Sequence, residues 1–170
     1  MRTEYRIEPM VLDQLDQVMK LYDNARKFMA DHGNPTQWPE GYPSREMIIR
    51  DLEAGHMFVC MSGRDLGAVF FYRTGREPDY ENIWDGDWLD QEPYGVVHRI
   101  TSGGGHKGAA SFCLNWAWEQ CGNLKIDTHR DNGVMQNLLK KNGFSYCGLI
   151  RGRDGGERLA YQKNQKIVAM

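Results

Sequence analysis

The stretch Val96-Val97-His98-Arg99-Ile100-Thr101-Ser102-Gly103-Gly104-Gly105-His106-Lys107-Gly108-Ala109-Ala110 constrains this chain more than any other. A β-branched apolar run ends in a cluster of glycines, and the cluster opens at once into a helical pattern. Beyond Ala109, the residues Phe112, Cys113, Trp116 and Ala117 fall at the spacing of one buried helix face. The chain therefore passes from a buried strand through a glycine turn into a helix N-terminus. Such a turn suits an anion. First-turn amides lack intrahelical partners, the macrodipole is positive there, and glycines let backbone approach a phosphate. A pyrophosphate is the expected occupant. Two other phosphate signatures fit worse. A Walker loop needs Gly-Lys-Ser/Thr, whereas Lys107 precedes Gly108 with no hydroxyl after it. A dinucleotide fingerprint needs a βαβ unit at the turn and an acidic ribose partner downstream. Taken alone, the stretch also reads as a glycine turn with no ligand.

A second stretch, residues 126–144, narrows the choice. Ile126, Asp127 and Thr128 form a short strand, Asn132 is placed to cap a helix, and Gly143 closes that helix in the left-handed conformation. Strand, glycine turn, helix, strand, Asn-capped helix, Gly-Phe: this order resembles the acetyl-CoA-binding half of the GNAT superfamily of N-acetyltransferases. The family's turn reads Gln/Arg-x-x-Gly-x-Gly/Ala. Gly108 and Ala110 match it, while Gly105 stands where Gln or Arg is usual. Asn132, Gly143 and Phe144 match the later spacing. The resemblance is close over the second half of the chain and reaches the first half in the order of its elements. It implies acetyl-CoA as cosubstrate. Backbone groups of Ile100, Thr101 and Ser102 would hold the acetyl carbonyl and pantetheine. Gly105, His106, Lys107, Gly108, Ala109 and Ala110 would hold the pyrophosphate, and Asn132 would also serve the cofactor.

The rest of the chain agrees in its order. Residues 5–8 alternate as a first strand, and Leu12, Leu15, Val18, Met19, Tyr22 and Met29 trace one stripe of a long helix. That helix must stop near Gly33, since Pro35 disfavours helix at Asn34. Ser44 caps a second helix, residues 56–62 and 66–72 form a hairpin, and residues 144–149 and 158–163 form another. The predicted order is β-α-α-β-β-β-α-β-α-β-β: an α/β fold with a mixed sheet and helices on both faces. A length of 170 residues suits one domain, 1–170, with residues 164–170 as a loosely held tail. With 21 basic and 23 acidic residues, the chain lacks the basic excess of a nucleic-acid binder. No apolar run approaches a membrane span, and residues 1–10 lack the apolar core of a signal peptide. The four cysteines show no Cys-x-x-Cys spacing and are expected as free thiols in a reducing cytoplasm. A homodimer is left open.

Amine acetylation needs a polarised thioester carbonyl, an ammonium that loses a proton, and a thiolate that leaves. His98, two residues before Ile100 and so expected on the same strand face, is the candidate base. Arg99 is expected to point the other way, into a structural ion pair. The resemblance implies a tyrosine acid seven residues after the Asn, but that position is Leu139. Asp127-x-His129-x-Asp131 looks superficially like a metal site, and no metal is expected there. Trp38 and Tyr42, on a proline-restrained loop between the first two helices, are candidate acceptor contacts. Residues 74–93 carry Glu77, Asp79, Glu81, Asp85, Asp87, Asp90 and Glu92 against Arg76 alone. Folded over the site, such a loop would draw a small cationic acceptor, a polyamine or a peptide N-terminus among them. The expectation is an N-acetyltransferase acting on a primary amine by direct attack in a ternary complex. The alternatives are a non-catalytic acyl-CoA-binding or regulatory domain, kept alive by Leu139, and a nucleotide-binding switch.

Overall fold

The computed structural model describes residues 4–165, so the tail expected over residues 164–170 falls largely outside it. Among the described residues the chain forms β1 (Arg6–Pro9), α1 (Leu15–Asp31), α2 (Arg45–Glu53), β2 (Met57–Ser62) and β3 (Asp65–Thr74). There follow β4 (Gly95–Ser102), α3 (Ala109–Cys121), β5 (Leu124–Thr128), α4 (Gly133–Lys141), β6 (Ser145–Arg151) and β7 (Glu157–Lys163). The caps fall where the sequence places them. Ser44 Oγ accepts from the Met47 amide, Asn132 Oδ1 accepts from the Met135 amide, and Gly143 closes α4 at φ +86°.

The seven strands make one mixed sheet in the order β1-β2-β3-β4-β5-β7-β6. Strand periodicity divides its side chains between two cores. Val59, Val69 and Val96 meet Leu15, Val18 and Tyr22 of α1 and Ile48 of α2. Cys60, Phe70 and Val97 meet Ala109, Cys113, Leu114 and Ala117 of α3 and Leu139 of α4. The expected helices on both faces are thus present.

Two departures from regular pairing set up the site. β4 and β5 pair in parallel at two positions only, Gly95 with Leu124 and Val96 with Lys125. From Ile126 onward β5 is held from its other side by β7. The second departure is a bulge. Phe71 pairs with His98 and Val69 with Thr101, so Phe70 of β3 alone faces two residues of β4, Arg99 and Ile100. Arg99 sits in the bulge at φ +52°. A bulge reverses the inward–outward alternation beyond it. His98 therefore faces the α1/α2 side against Phe71 and Tyr80, and Arg99 faces the same side, in contact with Phe71 and Met47. Ile100 packs on the opposite face. The sequence expectation that His98 and Ile100 share a face, with Arg99 opposed, is corrected on this point. Arg99 does form the expected ion pair, with Asp51 of α2. Its carbonyl is tied to the Tyr22 hydroxyl at 2.9 Å.

Residues 74–93 are built into the fold. Tyr80 and Trp88 are buried in the α1/α2-side core, where they cover the part of the sheet that those helices leave bare. The Lys125 ammonium lies 4.2 Å from the Trp88 ring centroid and 3.9 Å from that of Tyr94. Asp90 accepts from Asn123, Gln162 and Asn164, and Trp84 pairs with Leu149 of β6 through two backbone hydrogen bonds. Gly86 crosses β6 so closely that an added Cβ would lie 2.0 Å from the Cys147 carbonyl oxygen. Its φ of +153° also disfavours any other residue. Gly86→Ala should therefore cost on the order of 3 kcal/mol, a fall of about 10 °C in Tm for a chain this size. An unchanged Tm would show that the loop is not seated on β6.

Candidate active site

Where β4 and β5 part, a cavity of about 410 Å³ opens through the sheet, lined from one strand by Val97, His98 and Ile100 and from the other by Ile126, Asp127 and Thr128. Both the location and the volume fit a ligand site of an open α/β sheet. Beyond Val96 the β4 edge toward β5 has no ladder partner, so its backbone polar groups are available to a ligand.

His98 lies on this wall and is partly exposed, with its Nε2 3.7 Å from Oε1 of Glu77. That is ion-pair range, somewhat long for a direct hydrogen bond. Glu77 is itself nearly buried. Its carboxylate pairs with Arg73, and its amide donates to the Tyr94 hydroxyl at 2.8 Å. Burial pushes the Glu77 carboxyl up, but His98 and then Arg73 outweigh it and hold the group below its ordinary value. Asp79 lines the same wall under the opposite balance. Burial, then the Glu77 charge, raises its carboxyl above the ordinary range. No ion pair answers Asp79 among the described residues. Asp127 completes the group, accepting from the buried Tyr80 hydroxyl at 2.5 Å. Burial, then Asp127, pushes that phenol well above its usual value, so it stays a donor.

Of the seven acids of residues 74–93, only Glu77 and Asp79 line the cavity. Glu81 pairs with Arg76, and Asp90 is turned into the network with Asn123. The expectation of seven carboxylates acting together is therefore corrected. Asp127-x-His129-x-Asp131 does not converge either. Asp127 faces Tyr80, while His129 Nδ1 accepts from the Asp131 amide and its Nε2 faces the Thr36 hydroxyl.

Opposite the acids stands an apolar wall. Trp38, from the α1–α2 loop, is buried between Tyr22 and Tyr42 with edge-on ring contacts, and Tyr42, Pro39, Met29 and Met47 extend the surface. The two candidate acceptor contacts thus line the cavity together. Asn132 does so too, capping α4 while its amide donates to Gln37 at 3.0 Å. Arg153 and Asp154 of the β6–β7 turn and Arg158 of β7, none of them singled out from the sequence as site residues, also line the cavity.

A second hollow of about 560 Å³ lies over the glycine turn and is lined by Ser102, Gly105, His106, Lys107, Gly108 and Ala110. The turn is pinned from behind, since the Gly103 amide donates to the Gly67 carbonyl and Tyr5 donates to the Lys107 carbonyl. Among the described residues no backbone carbonyl answers the amides of Gly108, Ala110 or Ser111. Gly105 and Gly108 have φ near +80°, and a Cβ at either would meet no protein atom within 4 Å, only the hollow. These features fit a diphosphate. Thr101 and Ala109 line neither hollow: Thr101 pairs with Val69, and Ala109 is buried as the first residue of α3. The other wall comes from α4, through Val134, Asn137, Leu138 and Lys141. Sequence reasoning missed these four, although their i, i+3, i+4, i+7 spacing marks one helix face. Leu139 is fully buried on the far side of that helix.

No protein-family model and no curated protein matches the chain in sequence. Solved structures do match. An acetyltransferase of the GNAT family from Streptococcus agalactiae is 31% identical, over 95% of this chain and 96% of its own, with a TM-score of 0.86. A GNAT-family acetyltransferase from Listeria monocytogenes is 16% identical over 95% of each chain, with a TM-score of 0.69. A chain of the NatC complex bound to Gag peptide and CoA is 11% identical over 96% of this chain and 99% of its own, with a TM-score of 0.56. The last two share the fold.

CoA should raise the Tm of this protein by mass action on the native state. Gly108→Val should abolish the rise by filling the turn, and Lys107→Ala or Lys141→Ala should weaken CoA binding by removing a nearby cation. Titration calorimetry and thermal unfolding read both effects. An undiminished rise in all three variants would remove the glycine turn from the cofactor site.

Proposed function

This chain belongs to the GNAT family of acetyltransferases, and from that premise we propose that it moves an acetyl group from acetyl-CoA to a small primary amine, by direct attack with both substrates bound. One observation carries the reading. The unpaired edge of β4 runs from the glycine turn at Ser102 to the cavity at Ile100 and His98, joining the anion hollow to the acid-lined pocket. The free amides of the turn, with Lys107 and Lys141 beside them, suit the cosubstrate's phosphates. The β4 edge offers fixed donors for a thioester carbonyl. The NatC complex, one chain of which shares this fold, is bound to CoA, and this supports the same cosubstrate here.

The amine arrives as an ammonium and must lose a proton before its nitrogen can attack. His98 accepts that proton, and the Glu77 carboxylate stabilises the imidazolium that results. The new N–C bond forms as the C–S bond breaks, and sulfur carries away the electron pair as a thiolate. With a thiol pKa of about 8.5 as the guide, that thiolate leaves without a side-chain acid, and through water it takes up the second proton, which the acylated nitrogen sheds to become the amide. A buried Leu139 in place of the tyrosine is compatible with this route. It is also the observation that favours the second reading, a domain that binds acyl-CoA without turning it over. Thiol release from acetyl-CoA in the presence of amines separates the two. A reducing cytoplasm, where four free thiols persist, is the compartment proposed for it.

His98→Ala should lower kcat by about 100-fold or more while leaving CoA affinity unchanged, and the deficit should shrink at high pH, where the amine is already deprotonated. Glu77→Gln removes the charge beside His98, so kcat should fall while CoA affinity is unchanged. A His98→Ala enzyme with wild-type turnover at neutral pH would exclude His98 as the base.

A further inference from the structure

The two walls of the cavity differ in chemistry, and the difference selects the acceptor. The polar wall carries its negative charge on Glu77, which lies beside His98, and on Asp79 and Asp127, which line the same cavity. Two of these acids are already answered, Glu77 by Arg73 and Asp127 by Tyr80. Asp79 is left without an ion-pair partner among the described residues, and burial already disfavours its charge. The facing wall is mostly apolar, built from Met29, Trp38, Pro39, Tyr42 and Met47, and the Arg99 guanidinium beside Met47 is paired with Asp51. A charge of the opposite sign, Arg153, also lines the cavity, near enough to Glu77 and Asp79 to favour their charged forms. Arg153 is exposed, lines the cavity and makes no ion pair among the described residues, whereas Arg158 is paired with Asp154.

We propose that the acceptor is a monoamine with an apolar, aromatic-sized body, its ammonium lodged among Glu77, Asp79 and His98 and its body laid against Trp38, Tyr42, Met29 and Met47. Each alternative meets a specific obstacle. A polyamine would strip water from a second ammonium against the apolar wall or carry it to Arg153. An α-amino acid would bring its carboxylate, two bonds from the nitrogen, up to Glu77 and Asp79, where like charge repels it. An amine with an apolar body meets neither obstacle and buries its apolar surface. At about 410 Å³ the cavity is at the small end of the range for ligand sites, roughly 300–1,000 Å³, which suits a small molecule. The expected acceptor is therefore narrower than a general cationic amine, and a single ammonium is what the site takes.

This inference rests on the amine-acetylation reading, so the experiment separates the two. Full-length protein with acetyl-CoA is assayed for thiol release against 2-phenylethylamine, hexylamine, putrescine, spermidine, phenylalanine and 6-aminohexanoate. Binding of the same six to the protein saturated with CoA is measured by calorimetry, which needs no turnover. 2-Phenylethylamine should exceed spermidine and phenylalanine by at least about tenfold in kcat/KM, the lower end of what apolar pocket contacts discriminate, and by a similar factor in affinity. Trp38→Ala should remove most of the advantage of 2-phenylethylamine over methylamine. Because Trp38 is packed in the core, Met47→Ser provides the same comparison on a half-exposed residue. Asp79→Asn should weaken 2-phenylethylamine but not 2-phenylethanol. Equal or better binding of spermidine, phenylalanine or 6-aminohexanoate overturns the proposal, as does an advantage that survives both Trp38→Ala and Met47→Ser. Thiol release with none of the six, alongside the expected order of binding, supports this inference and overturns acetylation of small amines.

Discussion

The early end of the β4–β5 ladder is the constraint on which the rest of this structure depends. Two parallel strands that begin in register separate after two pairs, because β7 holds β5 from one side and a bulge at Arg99 bends β4 on the other. A parallel pair running its full length would place hydrogen bonds where the cavity now lies and satisfy the backbone groups of the β4 edge. The separation leaves those groups free in the interior of the sheet. It also links the two faces of the molecule: the glycine turn and α4 on one, and Trp38, Glu77 and Asp79 on the other. Ligands entering from opposite faces would meet at His98 and Ile100.

Holding that opening rigid requires support at its far ends. The bulge keeps a non-glycine residue at positive φ, a costly conformation that the surroundings must over-determine. They do so with the Arg99–Asp51 pair, the Met47 contact and the Tyr22 hydroxyl on the Arg99 carbonyl, so that α1 and α2 both lock the strand that carries His98. Residues 74–93 play the same part for β5, β6 and β7. Their aromatic residues substitute for a helix over the bare part of the sheet. In doing so they deliver Glu77 and Asp79 to the cavity on a well-packed scaffold.

Much of the fold was legible in the residues themselves. The order of strands and helices, the Ser44 and Asn132 caps and the left-handed Gly143 all depend on local chemistry, which a sequence states directly. The glycine turn was legible for the same reason, since glycines at a helix N-terminus act through backbone. The site's side chains were harder to place. His98 was singled out, but its face was inferred from strict alternation, which a single bulged residue reverses. The acids of residues 74–93 read as one group acting together on a cationic acceptor. Only packing revealed that Asp90 is spent on Asn123 and Gln162 while Asp79 is left over. Val134, Asn137, Leu138 and Lys141 passed unnoticed because three of them are individually unremarkable and their common face has meaning only beside the glycine turn.

The sequence by itself therefore determined the class of fold, the place of the glycine turn and the family to which the chain belongs. Each of these is written in short-range patterns: hydrophobic period, cap residues and glycine spacing. Only the tertiary structure decided which groups line the cavity. That depends on where ladder pairing stops, which residue a bulge turns over and which loop charges find partners. These are contests between distant segments for the same hydrogen bonds and the same buried space, and no local pattern records their outcome.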